Sequence, residues 1–296
     1  MQRVAAASAE AAARGDDAEP GSLAALALLV PAFLGVAHPY GAAGGTYLRL
    51  RDATAGMALP CVADIKVRRS TLHAASLLSH ASPAASQLGF CTGDASFGAA
   101  YAAKCAAKDA RTTSGALGFR VCGAQHWAPH VEQREGPSGS PRPWQRVRLE
   151  RTACAALDAA GARAQLERFV SCGGGADGAA VVRAVLPRLA ALADWLHAHR
   201  GTRFFGASVL LLFDAAALAW ASPSAEPPVD VKARAHAAAG VQRALTITRP
   251  RGPARQLVDF AHVAAAQGCR DDNVLGGVRS LAHTLQAVAA CAQGGG

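Results

Sequence analysis

Leu59-Pro60-Cys61-Val62-Ala63-Asp64-Ile65-Lys66-Val67-Arg68 sets a carboxylate and an ammonium two residues apart, on one face of a predicted strand. Side chains alternate along an extended chain, so Val62, Asp64 and Lys66 share a face while Ala63, Ile65 and Val67 line the other. One face offers chemistry and the other offers core. The pair has the groups to orient a nucleotide and hold the anion it reacts with, and the same spacing fits an ordinary exposed strand.

Working outward, Thr46 to Arg51 reads as a strand leading to Asp52 and a turn, with Pro60 opening the next strand. Leu23 to Val30 reads as a helical run ended before Pro31. Ala99 to Asp109 has a helical composition, Ala116 to Gly123 reads as a strand, and Gly136 to Pro143 as a flexible connector. Leu157, Leu166 and Phe169 mark a short helical region. Val181, Val185, Leu189, Leu192 and Leu196 recur at helical intervals, with Pro187 expected to kink or divide that helix. Ala207 to Asp214 is a buried strand ending in a carboxylate, and Gln256 to His262 another strand. Leu275, Val278, Leu281, Leu285 and Val288 trace a last amphipathic helix. This mixture gives an α+β fold rather than a helical bundle, although abundant Ala raises helix propensity almost everywhere.

The 296 residues are 51% hydrophobic, enough for a substantial core, with only 5% aromatic and 17% charged. Thirty Lys and Arg against 21 Asp and Glu leave a formal charge of +9, which favours anionic partners. Without aromatic-basic interleaving or a zinc module, no specific nucleic-acid partner is expected. The eight cysteines are scattered without a C-x-x-C pair, as in a chain of reduced thiols. No signal-like apolar block opens the chain. Leu23 to Val36 is too short, and interrupted by Pro31, to span a bilayer, so a soluble protein of the cytoplasm or nucleus is expected, monomeric, with the basic Ala-rich leader also open to reading as a weak organellar transit signal.

The P-loop, H-E-x-x-H and G-x-S-x-G patterns are absent, which weakens P-loop hydrolase, zinc protease and serine hydrolase readings. Phosphoryl transfer instead needs charge neutralisation, an ordered nucleotide and an aligned acceptor oxygen. Asp64, Lys66 and Asp259 are the right kinds of group: Asp64 to accept hydrogen bonds from a ribose hydroxyl or orient a cation-bound water, Lys66 to contact an acceptor phosphate or the transferring group, Asp259 to bind Mg²⁺ through oxygen. Asp259 as an N-cap or surface ion pair is the plain alternative. Asp214 is either an orienter at a strand end or a turn cap, and His262 a structural hydrogen bonder or a proton carrier. Arg68, Arg69 and either Lys104 or Lys108 extend the positive charge beyond Lys66, suited to a polyanion or to a solvated surface.

Pro60-Cys61-Val62-Ala63-Asp64-Ile65-Lys66 resembles the P-x-x-x-D-x-K-x-G signature of the inositol polyphosphate kinase family. Further blocks follow the family's order: Leu29 to Gly35, Leu50-Arg51-Asp52, Thr112 to Gly123, Ser208 to Asp214 and Val258-Asp259-Phe260-Ala261-His262. The resemblance runs from about residue 29 to residue 288 and implies a two-lobed fold distantly related to protein kinases, with ATP between the lobes. On that likeness, residues 1–22 are an Ala-rich leader, 23–59 a remnant N-terminal lobe and hinge, 60–291 the C-terminal kinase lobe and 292–296 a tail. Leu50, Arg51 and Asp52 would be the hinge that meets adenine, Asp64 would bind ribose or orient the reaction centre, and Lys66 would engage the acceptor and the transferring phosphate. Asp259 would hold Mg²⁺, with Arg68, Arg69 and Lys104 beside the substrate. Arg51 replaces the family's usual Glu and Arg68 its Gly, and the likeness begins beyond the family's glycine-containing hairpin and phosphate-binding Lys. The implied activity is ATP- and Mg²⁺-dependent phosphorylation of a soluble inositol polyphosphate, multikinase-like by preference with inositol trisphosphate kinase and inositol hexakisphosphate kinase readings open, or else a catalytically impaired inositol-phosphate-binding or regulatory module.

Overall fold

The structure is a computed structural model that describes Ala6, Ala103 and residues 21–37, 47–68, 106–129, 144–172, 177–204, 206–219, 256–258, 263–266 and 268–294. Its strands are β1 (Phe33–Ala37), β2 (Tyr47–Leu50), β3 (Pro60–Val67), β4 (Phe119–Pro129), β5 (Trp144–Leu149), β6 (Thr202–Phe204), β7 (Ser208–Asp214), β8 (Gln256–Val258) and β9 (Val263–Ala265). The helices are α1 (Leu23–Leu26), α2 (Thr113–Leu117), α3 (Arg151–Ala155), α4 (Ala159–Val170), α5 (Gly178–Ala198), α6 (Ala215–Ala219) and α7 (Asp272–Gly294). This is a mixed α/β architecture. Its centre is an antiparallel sheet of order β5-β4-β3-β7-β8, with β1-β2 and β6-β9 as separate ribbons.

β3 is the middle strand, and its exposure alternates residue by residue. Cys61, Ala63, Ile65 and Val67 are each at most 1% exposed and join the core formed with α4, α5 and α7. The α7 stripe Val274, Leu275, Val278, Leu281, Leu285 and Val288 is buried as its spacing predicts. Phe169 of α4 meets Phe213 of β7 edge to face, with ring centroids 5.2 Å apart. Leu26 and Val30 enter the same core, and α1 is tied to the end of α5 where Trp195 donates from Nε1 to the Ser22 carbonyl at 2.7 Å.

Three elements depart from the sequence expectation. Ala116 and Leu117 are helical rather than extended: α2 stops at Gly118, whose φ of 72° supplies the left-handed cap. Pro187 marks no boundary, since α5 runs through it and its side chain faces outward. The helix from Leu23 ends at Leu26, well before Pro31. The connector at 136–143 lies outside the described residues. The six described cysteines are free, as expected, with Cys61 and Cys172 sulfurs 3.7 Å apart.

Where α7 crosses the end of β3 there is no room for a side chain. A Cβ on Gly277 would lie 2.6 Å from the Gly118 oxygen and 2.7 Å from the Arg68 nitrogen, two atoms joined by a 2.8 Å hydrogen bond. Asp271 fixes the start of the same helix, accepting from the backbone N–H of Val274 at 3.1 Å and of Phe204 at 2.8 Å. Burial nonetheless pushes its carboxyl above the ordinary carboxylate range, these donors opposing the shift.

Gly277→Ala is expected to destabilise by about 1–3 kcal/mol, because the obstruction is backbone and cannot rotate away; thermal unfolding measures it, and an unchanged midpoint would contradict the packing described. A second expectation concerns pH. Burial, with the Arg168 guanidinium adding to it, holds His126 below its ordinary value of 6.5. Below that value the unfolded chain binds the proton and the folded chain resists it, so stability is lost as pH falls. The melting temperature should drop between about pH 7 and about pH 5, and drop less in His126→Leu; identical slopes would contradict it.

Candidate active site

The register of β3 decides which side chains gather on the face opposite the core. Asp64 lies between Gly123 of β4 and Leu210 of β7, Lys66 between Arg120 and Ser208, and Val62 between Gln125 and Leu212. Directly paired residues project to the same side of an antiparallel sheet. Asp64 and Lys66 therefore share a face with Arg120, Gln125 and Ser208, as the two-residue spacing predicted for the pair itself. Both are partly buried.

β4 carries an extra residue at this point: Gly123 pairs with Asp64 and Val121 with Ile65, leaving Cys122 as a bulge opposite the junction. Such bulges re-aim side chains without breaking the sheet. Asp64 Oδ1 is shielded from solvent and has no hydrogen-bond partner. Lys66 extends its Nζ past Gly206, to 3.6 Å from where a Cβ would stand there; Gly206 has a φ of 74° that only glycine adopts easily.

Beyond Lys66 the charges crowd. Arg68 pairs with Asp109, and Arg120 lies 3.8 Å from the same carboxylate while donating to Ser114 Oγ at 2.9 Å. The side chains of all three ion-pair partners are close to buried, where losing one member would strand the others. Lys108 stands at the edge of this group: Arg120 first, then burial, then Arg151 and Arg68 lower its proton affinity. The position occupied by Arg68 thus adds a cation that is already engaged, and its Nε is buried without a partner.

The predicted hinge follows β2. Leu50 is the last residue of that strand and is exposed, the Arg51 amide donates to the Ala32 carbonyl at 2.9 Å, and Asp52 turns inward on its own loop. Asp52 Oδ1 accepts from both the amide and the hydroxyl of Thr54 at 2.8 Å, which lowers its pKa. Asp214, read as orienter or turn cap, serves as an anchor. It accepts from the amides of Ala58 and Leu59 at 2.9 Å and of Ala216 at 3.1 Å, tying the entry to β3 onto the end of β7.

Arg69, Lys104, Asp259 and His262 lie outside the described residues. Val258, one position before Asp259, pairs with Ser208, which pairs with Lys66, so one row of the sheet joins Lys66 to the residue preceding Asp259. Across two strand spacings that is roughly 10 Å. Sequence reasoning missed Asp109, Ser208 and Gly206, and did not single out Arg120 inside its block. Gly206 is the one with a local signal, a glycine just before a buried strand. Among the described residues no group of three or more His, Cys, Asp or Glu gathers as metal ligands, and no helix is long and apolar enough to cross a membrane.

The family model for inositol polyphosphate kinase matches residues 47–286. The chain is 33% identical over 250 residues to an inositol polyphosphate multikinase of Oryza sativa subsp. indica, the match covering 81% of this chain and 65% of the rice protein. It is 27% identical over 247 residues to inositol polyphosphate multikinase beta of Arabidopsis thaliana, covering 79% of this chain and 64% of that protein. The chain thus spans just under two thirds of these relatives. In fold it is similar to the inositol phosphate multikinase of S. cerevisiae, solved with ADP and Mn²⁺, at a TM-score of 0.57 and 17% identity over 93% of this chain and 92% of that one. With a match that takes in β3, both its neighbours and most of α7, the chain belongs to the inositol polyphosphate kinase family.

Proposed function

We propose that the chain transfers a phosphoryl group from ATP to a soluble inositol polyphosphate, with multikinase-like use of acceptors. The observation that carries this is Asp64 Oδ1, a shielded carboxylate oxygen with no donor, on the same face as Lys66. A buried acceptor left unpaired costs free energy, and a ligand hydroxyl removes that cost. A ribose or an inositol ring brings such hydroxyls.

On this reading Asp64 orients a hydroxyl at the reaction centre, and Lys66 holds the acceptor and the transferring phosphate against their mutual repulsion. Arg68, Arg69 and Lys104 belong to the surrounding positive field, Arg68 acting through the carboxylate it already holds. Mg²⁺ with ATP supplies the phosphoryl group and neutralises its charge. Asp259 is the residue proposed to hold the metal. Mg²⁺ commonly takes one or two carboxylates and completes its shell with phosphates and water, so a sparse set of carboxylates fits it. The relative from S. cerevisiae, with ADP and Mn²⁺, supports a nucleotide and a divalent cation in this fold.

Adenine falls to the backbone of Leu50, Arg51 and Asp52. The Asp52 carboxylate is turned to Thr54 and the Arg51 amide is given to Ala32, so the Arg51 carbonyl and the Asp52 amide are backbone groups that could read the base, and the Arg in place of the family's Glu is tolerable where the backbone makes the contact. The β1-β2 ribbon within residues 23–59 would lie on one side of this nucleotide and residues 60–291 on the other, with Leu26 and Val30 packed into the core of the larger part.

Purified protein assayed with ATP, Mg²⁺ and a panel of inositol phosphates tests the proposal: a phosphorylated product is expected, whereas retention of ligand without ADP formation would mean a binding module. Lys66→Ala, Asp64→Ala and Asp259→Ala should each lower turnover by about a hundredfold or more. Lys66→Ala acts mainly on the acceptor and Asp259→Ala on the metal-nucleotide. Asp64→Ala should leave the melting temperature unchanged or raised, because it removes an unsatisfied charge from the sheet. Wild-type turnover in any of the three would refute its assigned role.

A further inference from the structure

The sheet face that carries Asp64 and Lys66 does not end at β4. β5 pairs with β4 so that Arg148 stands opposite Gln125 and Arg146 opposite Trp127, and Gln125 in turn stands opposite Val62. Each pairing preserves the side, so Arg148 projects from the same face as Asp64. Two strand spacings and two residues along, their Cα positions are about 12 Å apart. The alternate residues of β5, Gln145, Val147 and Leu149, take the opposite side.

Both arginines are exposed and neither ion-pairs with a carboxylate among the described residues, unlike Arg68 and Arg120, which share Asp109. Arg151, exposed at the start of α3, continues the positive charge, and its effect reaches Lys108. Among the described residues the cations on this flank, Arg146, Arg148 and Arg151, outnumber the one carboxylate beside them in sequence, Glu150. Gln125 stands in the row between Arg148 and Val62 with its amide nitrogen donating to the Pro60 carbonyl at 3.3 Å, which holds that side chain along the strand.

We infer that Arg148, flanked by Arg146, forms a phosphate-binding lane on β5 that seats a phosphate of the acceptor remote from the reacting group. The inference rests on the proposed acceptor being an inositol polyphosphate, and it names which residues distinguish a heavily phosphorylated ring from a lightly phosphorylated one. Lys66 deals with the reacting end. A rigid ring carrying several phosphates presents others on its far side, and guanidinium groups bind phosphate through paired N–H donors. The competing account is that β5, as an edge strand, carries charge to prevent strand pairing with other chains. That role needs charge alone and is indifferent to the acceptor.

The test compares the intact chain with Arg148→Gln, Arg146→Gln and the double variant in two measurements. In the first, calorimetric titration with inositol hexakisphosphate in the absence of nucleotide reads binding independently of catalysis. The affinity should fall about tenfold in Arg148→Gln and further in the double variant, with Arg148→Lys recovering part of the loss and the melting temperature unchanged. In the second, steady-state kinetics with an inositol trisphosphate and an inositol tetrakisphosphate should show a raised acceptor KM, more for the tetrakisphosphate, with kcat and the KM for ATP kept. Wild-type affinity and acceptor KM in the double variant would overturn the lane and leave the edge-guarding role. Equal losses for ATP and for acceptor would also overturn it. Wild-type chain that binds hexakisphosphate yet turns nothing over refutes the proposed catalysis alone, and the titration still decides the lane.

Discussion

Everything at this site depends on the register of β3 between β4 and β7. Side chains alternate with a period of two, so a slip of one residue would drive Asp64 and Lys66 into the apolar layer and turn Ile65 and Val67 outward. Two ladders oppose such a slip. The pairing with β7 runs unbroken from Pro60 to Lys66, and the pairing with β4 is continuous except for the bulge at Cys122. Four apolar side chains at most 1% exposed anchor the other side. The polar face is held by what the opposite face buries.

The same packing explains how polar groups remain in place around a sheet with few aromatic anchors. Gly277 lets α7 press on the hydrogen bond between Arg68 and Gly118, closing the end of β3. Asp214 does the equivalent at the other end, accepting from the amides of Ala58 and Leu59 to tie them to β7 and from that of Ala216 at the start of α6. Between these fixed ends Asp64 Oδ1 stays without a hydrogen-bond partner, and its cost is met by the stability of the core around it. An unfavourable local arrangement of this kind persists where the surrounding structure over-determines it.

Long periodic signals were legible. The stripes of α5 and α7, the apolar run of β7 and the alternation of β3 all lie where their spacing places them, because tertiary burial and local pattern agree there. Short elements were not. α2 is five residues long and has no room to display a period, so Ala116 and Leu117 read as extended until Gly118 reveals the cap. Pro187 lies inside α5 on an outward-facing position, so the boundary that its residue type allowed there is absent. For the site, the spacing of Asp64 and Lys66 was enough to put them on one face. What no local pattern contains is the partner set: Arg120, Gln125 and Arg148 reach that face through strand pairing over long separations, and Asp109 meets Arg68 across 41 positions. The ordered blocks of the family likeness, rather than any one motif, carried the reading from a strand to an enzyme family.

The central claim is that the donorless Asp64 oxygen and the Lys66 ammonium meet a ligand on one face of β3. An experimental structure of the chain with a nucleotide, a divalent cation and an inositol polyphosphate tests it most directly. The account predicts a ligand hydroxyl within hydrogen-bond distance of Asp64 Oδ1 and a phosphate against Lys66 Nζ. Ligand bound elsewhere, with Asp64 still unpartnered and Lys66 facing only protein, would contradict it.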